Sequence, residues 1–302
     1  MQARSALFDL YGDYLRARGG QAPVAALVRL LAPLGIAAPA VRTAVSRMVR
    51  QGWLEPLRLP SGPGYGLTPK AVRRLDGAAA RIYRTTKPQW DGRFDLIVLE
   101  NLPPRSIRSR VAANLAFLGY GCIGERTWLA PRAHEEVDGL LAEAGVRFDR
   151  FTAAHVAGAN GMPSLVERAW DLRALADAYR QFVADMTPLV EAAPTRGDDE
   201  AAYRARFQLV HAWRTFLFRD PLLPPALLPP SWPGTTAADF FDRHASRLRP
   251  AADRFVDRCL TTEGALRDRI PAGVPGRRRR HPHAQPAGLA ELPGRGPQGG
   301  AA

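Results

Sequence analysis

Apolar and polar positions in the first third of the chain recur with helical spacing. Leu7, Leu10, Tyr11, Tyr14 and Leu15 fall on one face of a first helix, which Gly19 and Gly20 stop. Pro23 suits the opening turn of a second helix, whose apolar positions Val24, Leu27, Val28, Leu31 and Leu34 run up to Gly35. Pro39 opens a third helix that continues to Gln51, with Gly52 as its stop. Two extended stretches, residues 53–59 and 65–68, flank Pro60, Ser61, Gly62, Pro63 and Gly64, a pattern that predicts a hairpin with a flexible tip. Three helices followed by such a hairpin read as a winged helix-turn-helix, with Arg58 and Tyr65 on the wing.

Beyond the hairpin, residues 69–83 predict another amphipathic helix with Val72, Leu75, Ala79 and Ile82 inward, and residues 85–89 a linker. The period then changes. Phe94, Leu96, Ile97, Val98 and Leu99 form an apolar strand, followed by a helix over 106–118, a strand at 128–130, a helix over 133–144 and a strand over 146–151. This alternation predicts a compact α/β or ferredoxin-like unit. From Leu165 the pattern is helical, over 170–186, 201–218 and 237–260, with Tyr203, Phe207, Val210, Trp213, Phe216 and Leu217 at core spacing. The proline-rich stretch 221–233 reads as a rigid strap packed on those helices. The expected fold class is therefore α+β and multidomain: a winged helix-turn-helix over 1–84, a ferredoxin-like middle domain over 85–164, an all-helical C-terminal domain over 165–266 for effector binding or dimerisation, and a disordered basic tail over 267–302.

Charge sharpens this division. Residues 1–84 hold 13 basic and four acidic side chains, a net +9, and residues 267–302 hold seven and two, a net +5, while the remainder is −1. A basic domain beside a neutral one is the electrostatic footprint of nucleic-acid binding. No stretch has the roughly 18 uninterrupted apolar residues of a membrane span, and the first ten residues lack the plan of a signal peptide, which points to a cytoplasmic protein. Only Cys122 and Cys259 occur, far apart and in apolar surroundings, so a disulfide framework and a four-cysteine zinc site are excluded and two buried thiols are expected.

The third helix carries the most specific chemistry. At about 100° per residue its side chains separate into two arcs. Val41, Ala44, Val45, Met48 and Val49 occupy one; Arg42, Thr43, Ser46, Arg47 and Arg50 occupy the other, with no acidic residue among them. Arginine donates bidentately to guanine or to phosphate, and threonine and serine reach either, so this arc is the expected DNA-reading face. The run 277–280 of the tail is a basic arm or an unselected extension. The glycine-rich hairpin tip lacks the Gly-Lys-Ser/Thr ending of a phosphate loop, His134-Glu135-Glu136 lacks the second histidine of a zinc protease helix, and no Gly-x-Ser-x-Gly elbow occurs.

Several separated segments resemble the PaaX family, the phenylacetic acid degradation repressors. They are Gly-Tyr-Gly-Leu-Thr from Gly64, Trp-Asp-Gly-Arg from Trp90, Phe-Arg-Asp-Pro-Leu-Leu-Pro from Phe218, Leu-Gly-Tyr-Gly from Leu118, Trp-Leu-Ala-Pro-Arg from Trp128, Trp-Asp-Leu from Trp170 and Arg-Phe-Val-Asp from Arg254, within residues 4–262. The resemblance implies a non-enzymatic DNA-binding repressor of aromatic catabolism, released from its operator by phenylacetyl-coenzyme A or a related acyl-coenzyme A. It also implies a middle domain similar to that of a CRISPR-associated endoribonuclease, and it carries the DNA-contact assignment onto Arg42, Thr43, Ser46, Arg47 and Arg50. A homodimer on a near-palindromic operator is expected. Two rivals stand beside it: a metal-dependent nuclease using Asp91 or Asp95, and a nonspecific architectural DNA-binding protein.

Overall fold

The computed structural model describes residues 1–83, 90–156 and 161–261; the expected linker at 85–89 and the tail over 267–302 lie outside the described residues. Helix α1 (Ala3–Leu10) continues through a π turn at Tyr11–Leu15 and a 3-10 turn at Arg16–Arg18. Leu7, Leu10, Tyr11, Tyr14 and Leu15, the predicted apolar face, are all buried. Strand β1 (Gln21–Pro23) follows, too short for any alternation to announce it, and leads directly into α2 (Val24–Leu31) with Pro23 as its N-cap. A 3-10 turn at Ala32–Leu34 ends that helix before the chain enters α3 (Ala38–Arg50).

The hairpin is tighter than the sequence suggests. Strands β2 (Leu54–Leu59) and β3 (Gly62–Leu67) pair out to Leu59 and Gly62, so Pro60 and Ser61 alone make the connection, and β3 lies between β1 and β2 in an antiparallel sheet. Glycine is required inside β3. A Cβ on Gly64 would lie 2.8 Å from the Ala22 carbonyl oxygen, backbone that cannot give way, whereas one on Gly66 would meet only the end of the Leu57 side chain, which can turn aside. Helix α4 (Pro69–Ile82) completes this region, with Ala71, Leu75 and Ile82 buried.

The middle segment runs β4 (Arg93–Leu99), α5 (Arg105–Phe117), β5 (Gly121–Gly124), β6 (Thr127–Ala130), α6 (Glu136–Glu143) and β7 (Phe148–Ala154). Its four strands are antiparallel in the order β5-β6-β4-β7. The pattern missed β5, whose four residues include two glycines and give no periodic signal. Ile97, Leu99, Val111, Leu115, Tyr120, Val137 and Leu141 form a core between sheet and helices. Four helices follow: α7 (Gly161–Ala169), α8 (Leu172–Glu191), α9 (Asp199–Arg214) and α10 (Pro233–Thr261). Between the last two, the proline strap buries Leu223 and Leu227 and turns through a 3-10 segment at Pro225–Leu227. Cys259 is buried, whereas Cys122 is half-exposed on the short edge strand β5, where its thiol donates to the Gly124 carbonyl at 3.0 Å, a departure from the expected buried thiol.

The N-terminal and C-terminal segments, distinct blocks in the sequence, share one hydrophobic core. Tyr203 and Phe207 of α9 and Ala252, Phe255, Val256 and Cys259 of α10 pack with Leu7, Leu10, Leu27 and Val45. The Tyr203 hydroxyl donates to the Leu30 carbonyl at 2.8 Å. Charges cross the same seam. Asp13 and Arg206, 5% and 2% exposed, form an ion pair, and the Tyr83 hydroxyl also donates to Asp13. Arg206 donates to the Ala245 carbonyl at 3.0 Å and lies over the Tyr14 ring at 5.1 Å. Asp9, 2% exposed, meets His211 at 2.6 Å and Arg214 at 2.7 Å. Removing one partner of a buried pair strands the other charge in a medium that cannot solvate it, at about 3–5 kcal/mol. Asp13→Ala is therefore expected to lower the unfolding free energy by about that amount, measured by urea titration, and Asp76→Ala, whose partner Arg16 is on the surface, by under about 1 kcal/mol.

Candidate nucleic-acid interface

Helix α3 is built to present one face. Its N-cap, Ala37, has extended backbone and Pro39 sits in its first turn. At the other end the Gly52 amide donates to the Val49 carbonyl at 3.0 Å and the Trp53 amide to Met48 at 2.9 Å, with Gly52 at φ 70°, the paired closure that ends a helix on a left-handed glycine. That closure turns the chain straight into the hairpin. Thr68 then ties the far end of the hairpin back to the helix: its hydroxyl donates to the Gly52 carbonyl at 2.7 Å and accepts from the Ala71 amide at 3.3 Å, capping α4.

Val41, Ala44, Val45 and Met48 of α3 are buried, and Arg42, Thr43, Ser46, Arg47 and Arg50 are all exposed. Arg58 is exposed on β2 beside the turn. Tyr65 lies differently: it is half-buried, packed against the N-terminal core, and its carbonyl accepts the Tyr11 hydroxyl at 2.9 Å. The structure thus brings six of the seven predicted side chains to the surface and turns the seventh partly inward.

The electrostatic state of these arginines separates them from their neighbours. Arg16 pairs with Asp76, Arg18 with Asp253 at 3.0 Å and Asp257 at 2.7 Å, and Arg29 donates to the Cys259 carbonyl. Among the described residues, no carboxylate pairs with Arg42, Arg47, Arg50 or Arg58. Their charge is presented unneutralised. Beside them stand three cations the sequence pattern did not single out, Lys70, Arg73 and Arg74, exposed at the start of α4; Lys70 lies over the Trp53 ring at 4.7 Å.

The carboxylates of the nuclease alternative are engaged elsewhere. Asp91 caps a turn by accepting the Arg93 amide at 2.9 Å. Asp95 is buried and holds Arg150 at 2.9 and 3.1 Å while accepting the Tyr120 hydroxyl. Burial, and then donation to Asp95, push the Tyr120 phenol well above its ordinary range, so it remains a donor at neutral pH. Arg150 goes on to Asp138 at 2.7 Å and the His134 carbonyl at 3.2 Å, which makes this a structural network across the sheet. No group of three or more His, Cys, Asp or Glu side chains able to hold a metal ion occurs among the described residues.

Comparison with known proteins fits this geometry. The chain is 33% identical over 261 residues to the transcriptional repressor PaaX of Escherichia coli, an alignment covering 83% of this chain and 82% of that protein. The chain belongs to the PaaX family. The family model described as PaaX-like protein matches residues 2–71, and that described as PaaX-like protein C-terminal domain matches residues 170–258. The PaaX family is one of transcriptional regulators, which removes the enzyme alternatives. An uncharacterised protein, Rv0674, from Mycobacterium tuberculosis shares the mixed α+β fold at a TM-score of 0.59 and 24% identity, over 84% of this chain and 98% of that one. No helix among the described residues is long and apolar enough to cross a membrane.

Because Arg42, Arg47 and Arg50 touch no partner that folding requires, Ala at each is expected to shift the thermal unfolding free energy of this PaaX-family chain by no more than about 0.5 kcal/mol. A loss several times larger, seen by calorimetry, means that these side chains serve the fold.

Proposed function

We propose that this protein is a sequence-specific DNA-binding repressor that reads its operator with α3. The single observation carrying this reading is the exposed, unpaired set Arg42, Thr43, Ser46, Arg47 and Arg50 on a helix whose opposite face is locked into the core. The unit formed by α1 to α4 and the three-stranded sheet is read as a winged helix-turn-helix, in which α3 enters the major groove and Arg58 on the hairpin reaches the adjoining backbone. Tyr65, half-buried against the N-terminal core, would contribute less than the exposed residues. The β4-α5-β5-β6-α6-β7 segment, with strand order β5-β6-β4-β7, supports the ferredoxin-like reading of the middle domain.

The Escherichia coli relative, the transcriptional repressor PaaX, supports repression as the direction of control. We infer a homodimer whose two recognition helices occupy successive grooves, base contacts choosing the sequence and phosphate contacts supplying most of the affinity. The regulated genes are read as an aromatic, phenylacetate-type catabolic operon. The inducer is read as phenylacetyl-coenzyme A or a related aryl-acyl thioester. We read its site as the junction of the middle and helical segments, beside a cleft of about 250 Å³ lined by residues of the helical segment, Trp170, Asp171, Leu172, Leu175, Arg219 and Pro221, where the Trp170 indole donates to the Gly119 carbonyl of the middle segment at 3.2 Å. Ligand pockets for drug-sized molecules start at about 300 Å³, so the reading is that only the aryl-acyl end of the thioester would enter this cleft. The ligand releases DNA only to the extent that it binds the DNA-incompetent geometry more tightly.

Arg42→Ala or Arg47→Ala should weaken operator binding by about 1–3 kcal/mol if the residue reads a guanine, and should reduce the ratio of operator to random-sequence affinity. Both variants binding the operator like the parent in a fluorescence-anisotropy titration overturns the assignment. For the inducer, isothermal titration calorimetry with phenylacetyl-coenzyme A is expected to give saturable heat and to dissociate the DNA complex; no heat with an unaltered complex excludes this thioester.

A further inference from the structure

The sequence pattern drew attention to α3, but the surface carries a second set of unneutralised cations. From residue 101 to 124 the sequence has no Asp or Glu, and from 56 to 75 it has none either. Within those intervals Arg105, Arg108 and Arg110 on α5, and Lys70, Arg73 and Arg74 on α4, are all exposed. Among the described residues none of the six pairs with a carboxylate. The nearest acids are committed: Asp76 pairs with Arg16, and Glu100 with Arg147 at 2.7 Å.

The two helices touch through these side chains. Arg74 lies over the Phe117 ring at 4.8 Å, at the C-terminal end of α5. On α4, Lys70, Arg73 and Arg74 are spaced three and four apart and share a face, and Lys70 rests on Trp53 at the end of α3. On α5, Arg110 and Phe117 are seven positions, two turns, apart and also share a face. A line therefore runs from the end of α3 over Trp53, Lys70 and Arg74 to Phe117 and on to Arg110, while Arg105 and Arg108, about 140° and 160° around α5 from Arg110, carry the exposed positive charge over the rest of the helix's first turns. The α5 part alone, at 1.5 Å per residue, is about 18 Å long, the rise of about five base pairs. The first turn of α5 has no side-chain cap, so its free amides add to the attraction for an anion.

We propose that α4 and α5 form a second, sequence-independent track that binds the phosphate backbone of duplex DNA flanking the segment read by α3. The proposal rests on the DNA-binding reading above. An elongated surface of exposed guanidinium and ammonium groups, with Ser106 and Ser109 among them and no acidic residue, matches a regular polyanion. Phosphate contacts of this kind raise affinity for any sequence and fix orientation without choosing bases. The track thus gives the middle segment a role on DNA that its near-neutral total charge conceals.

The test uses the full chain, its R105A/R108A/R110A variant and the corresponding triple lysine variant. Each is titrated by anisotropy against a random-sequence duplex of about 40 base pairs over a salt series, where each lost phosphate contact lowers the log–log salt slope by about 0.9. The alanine variant is expected to bind about tenfold more weakly at low salt with a slope reduced by about 3, and the lysine variant to keep the parent's slope. On a duplex selected by the protein from a random library, the operator-to-random ratio should be unchanged, in contrast to Arg42→Ala. An alanine variant with the parent's affinity and slope, or one that loses the ratio, overturns the track, as does a single-stranded RNA of equal length that outcompetes the duplex on the parent but not on the variant. If the parent binds no duplex at all, the DNA-binding reading itself falls; parental binding with unaltered variants removes the track alone.

Discussion

The arrangement of the described residues depends on Arg206, a guanidinium on α9 that is only 2% exposed. Arginine cannot shed its charge in a protein, so its site must supply a counter-charge and enough acceptors. Asp13 provides the charge, the Ala245 carbonyl accepts from Nε and the Tyr14 ring lies beneath the guanidinium. Burial works against the charged state, but Tyr14 and Asp13 outweigh it and hold the Arg206 pKa well above the ordinary guanidinium value. Asp13 lies within the π turn that extends α1, whereas Arg206 is 193 positions away. The pair can form only if the N-terminal helices dock on α9 and α10 in one register, because a shift by a turn would bury two unpaired charges. Asp9 with His211 and Arg214 repeats the constraint one turn earlier.

That docking bears directly on α3. The N-terminal unit that carries α3 shares its core with α9 and α10, through Tyr203, Phe207, Phe255 and Val256. Apolar contacts would tolerate sliding; the buried charges and the Tyr203 hydroxyl on Leu30 do not. The orientation of α3 is consequently set by the C-terminal helices as much as by its own unit. In a repressor this is the property that would let a ligand bound among those helices alter DNA affinity: any change in how α9 and α10 pack must either carry the N-terminal unit along or break a desolvated pair.

Much of this was legible in the sequence, and the reasons differ by element. The apolar faces of α1 and α3 were readable because both helices are half-buried against a core, the condition under which periodicity reports burial. Arg42, Thr43, Ser46, Arg47 and Arg50 are exposed and Val41, Ala44, Val45 and Met48 buried as the pattern separates them, while Val49, also on the apolar arc, is only half-buried at its edge. Strands β1 and β5 escaped because three and four residues, two of them glycine in β5, cannot establish a period of two. The hairpin tip looked flexible because prolines and glycines crowd there, yet Gly64 serves close packing of β3 between its neighbours. The shared core and the Asp13–Arg206 pair were invisible, since a pairing across 193 positions has no local signature. Tyr65 was placed on the wing from its strand, but which side of a short strand faces inward depends on the sheet's packing partner, here the residues around Tyr11.

Composition alone could not have told structural arginines from those available to a ligand, because residues 1–84 contain both kinds. Desolvation sorts them. A guanidinium that faces inward has to be matched during folding, and Arg18 and Arg29 are matched, by Asp253, Asp257 and the Cys259 carbonyl. One that faces outward keeps its hydration and costs the fold nothing, so nothing in folding selects a partner for it. Exposed arginines scattered singly need no explanation on that account. A row of them on one helix face is different, since like charges repel and a lone acid among them would relieve the repulsion; over Arg42 to Arg50 no acid intervenes. The unrelieved repulsion is the physical mark of a surface whose counter-ion arrives from outside, and a phosphate backbone, with a charge about every 1.7 Å of duplex, matches such a row more closely than scattered carboxylates do.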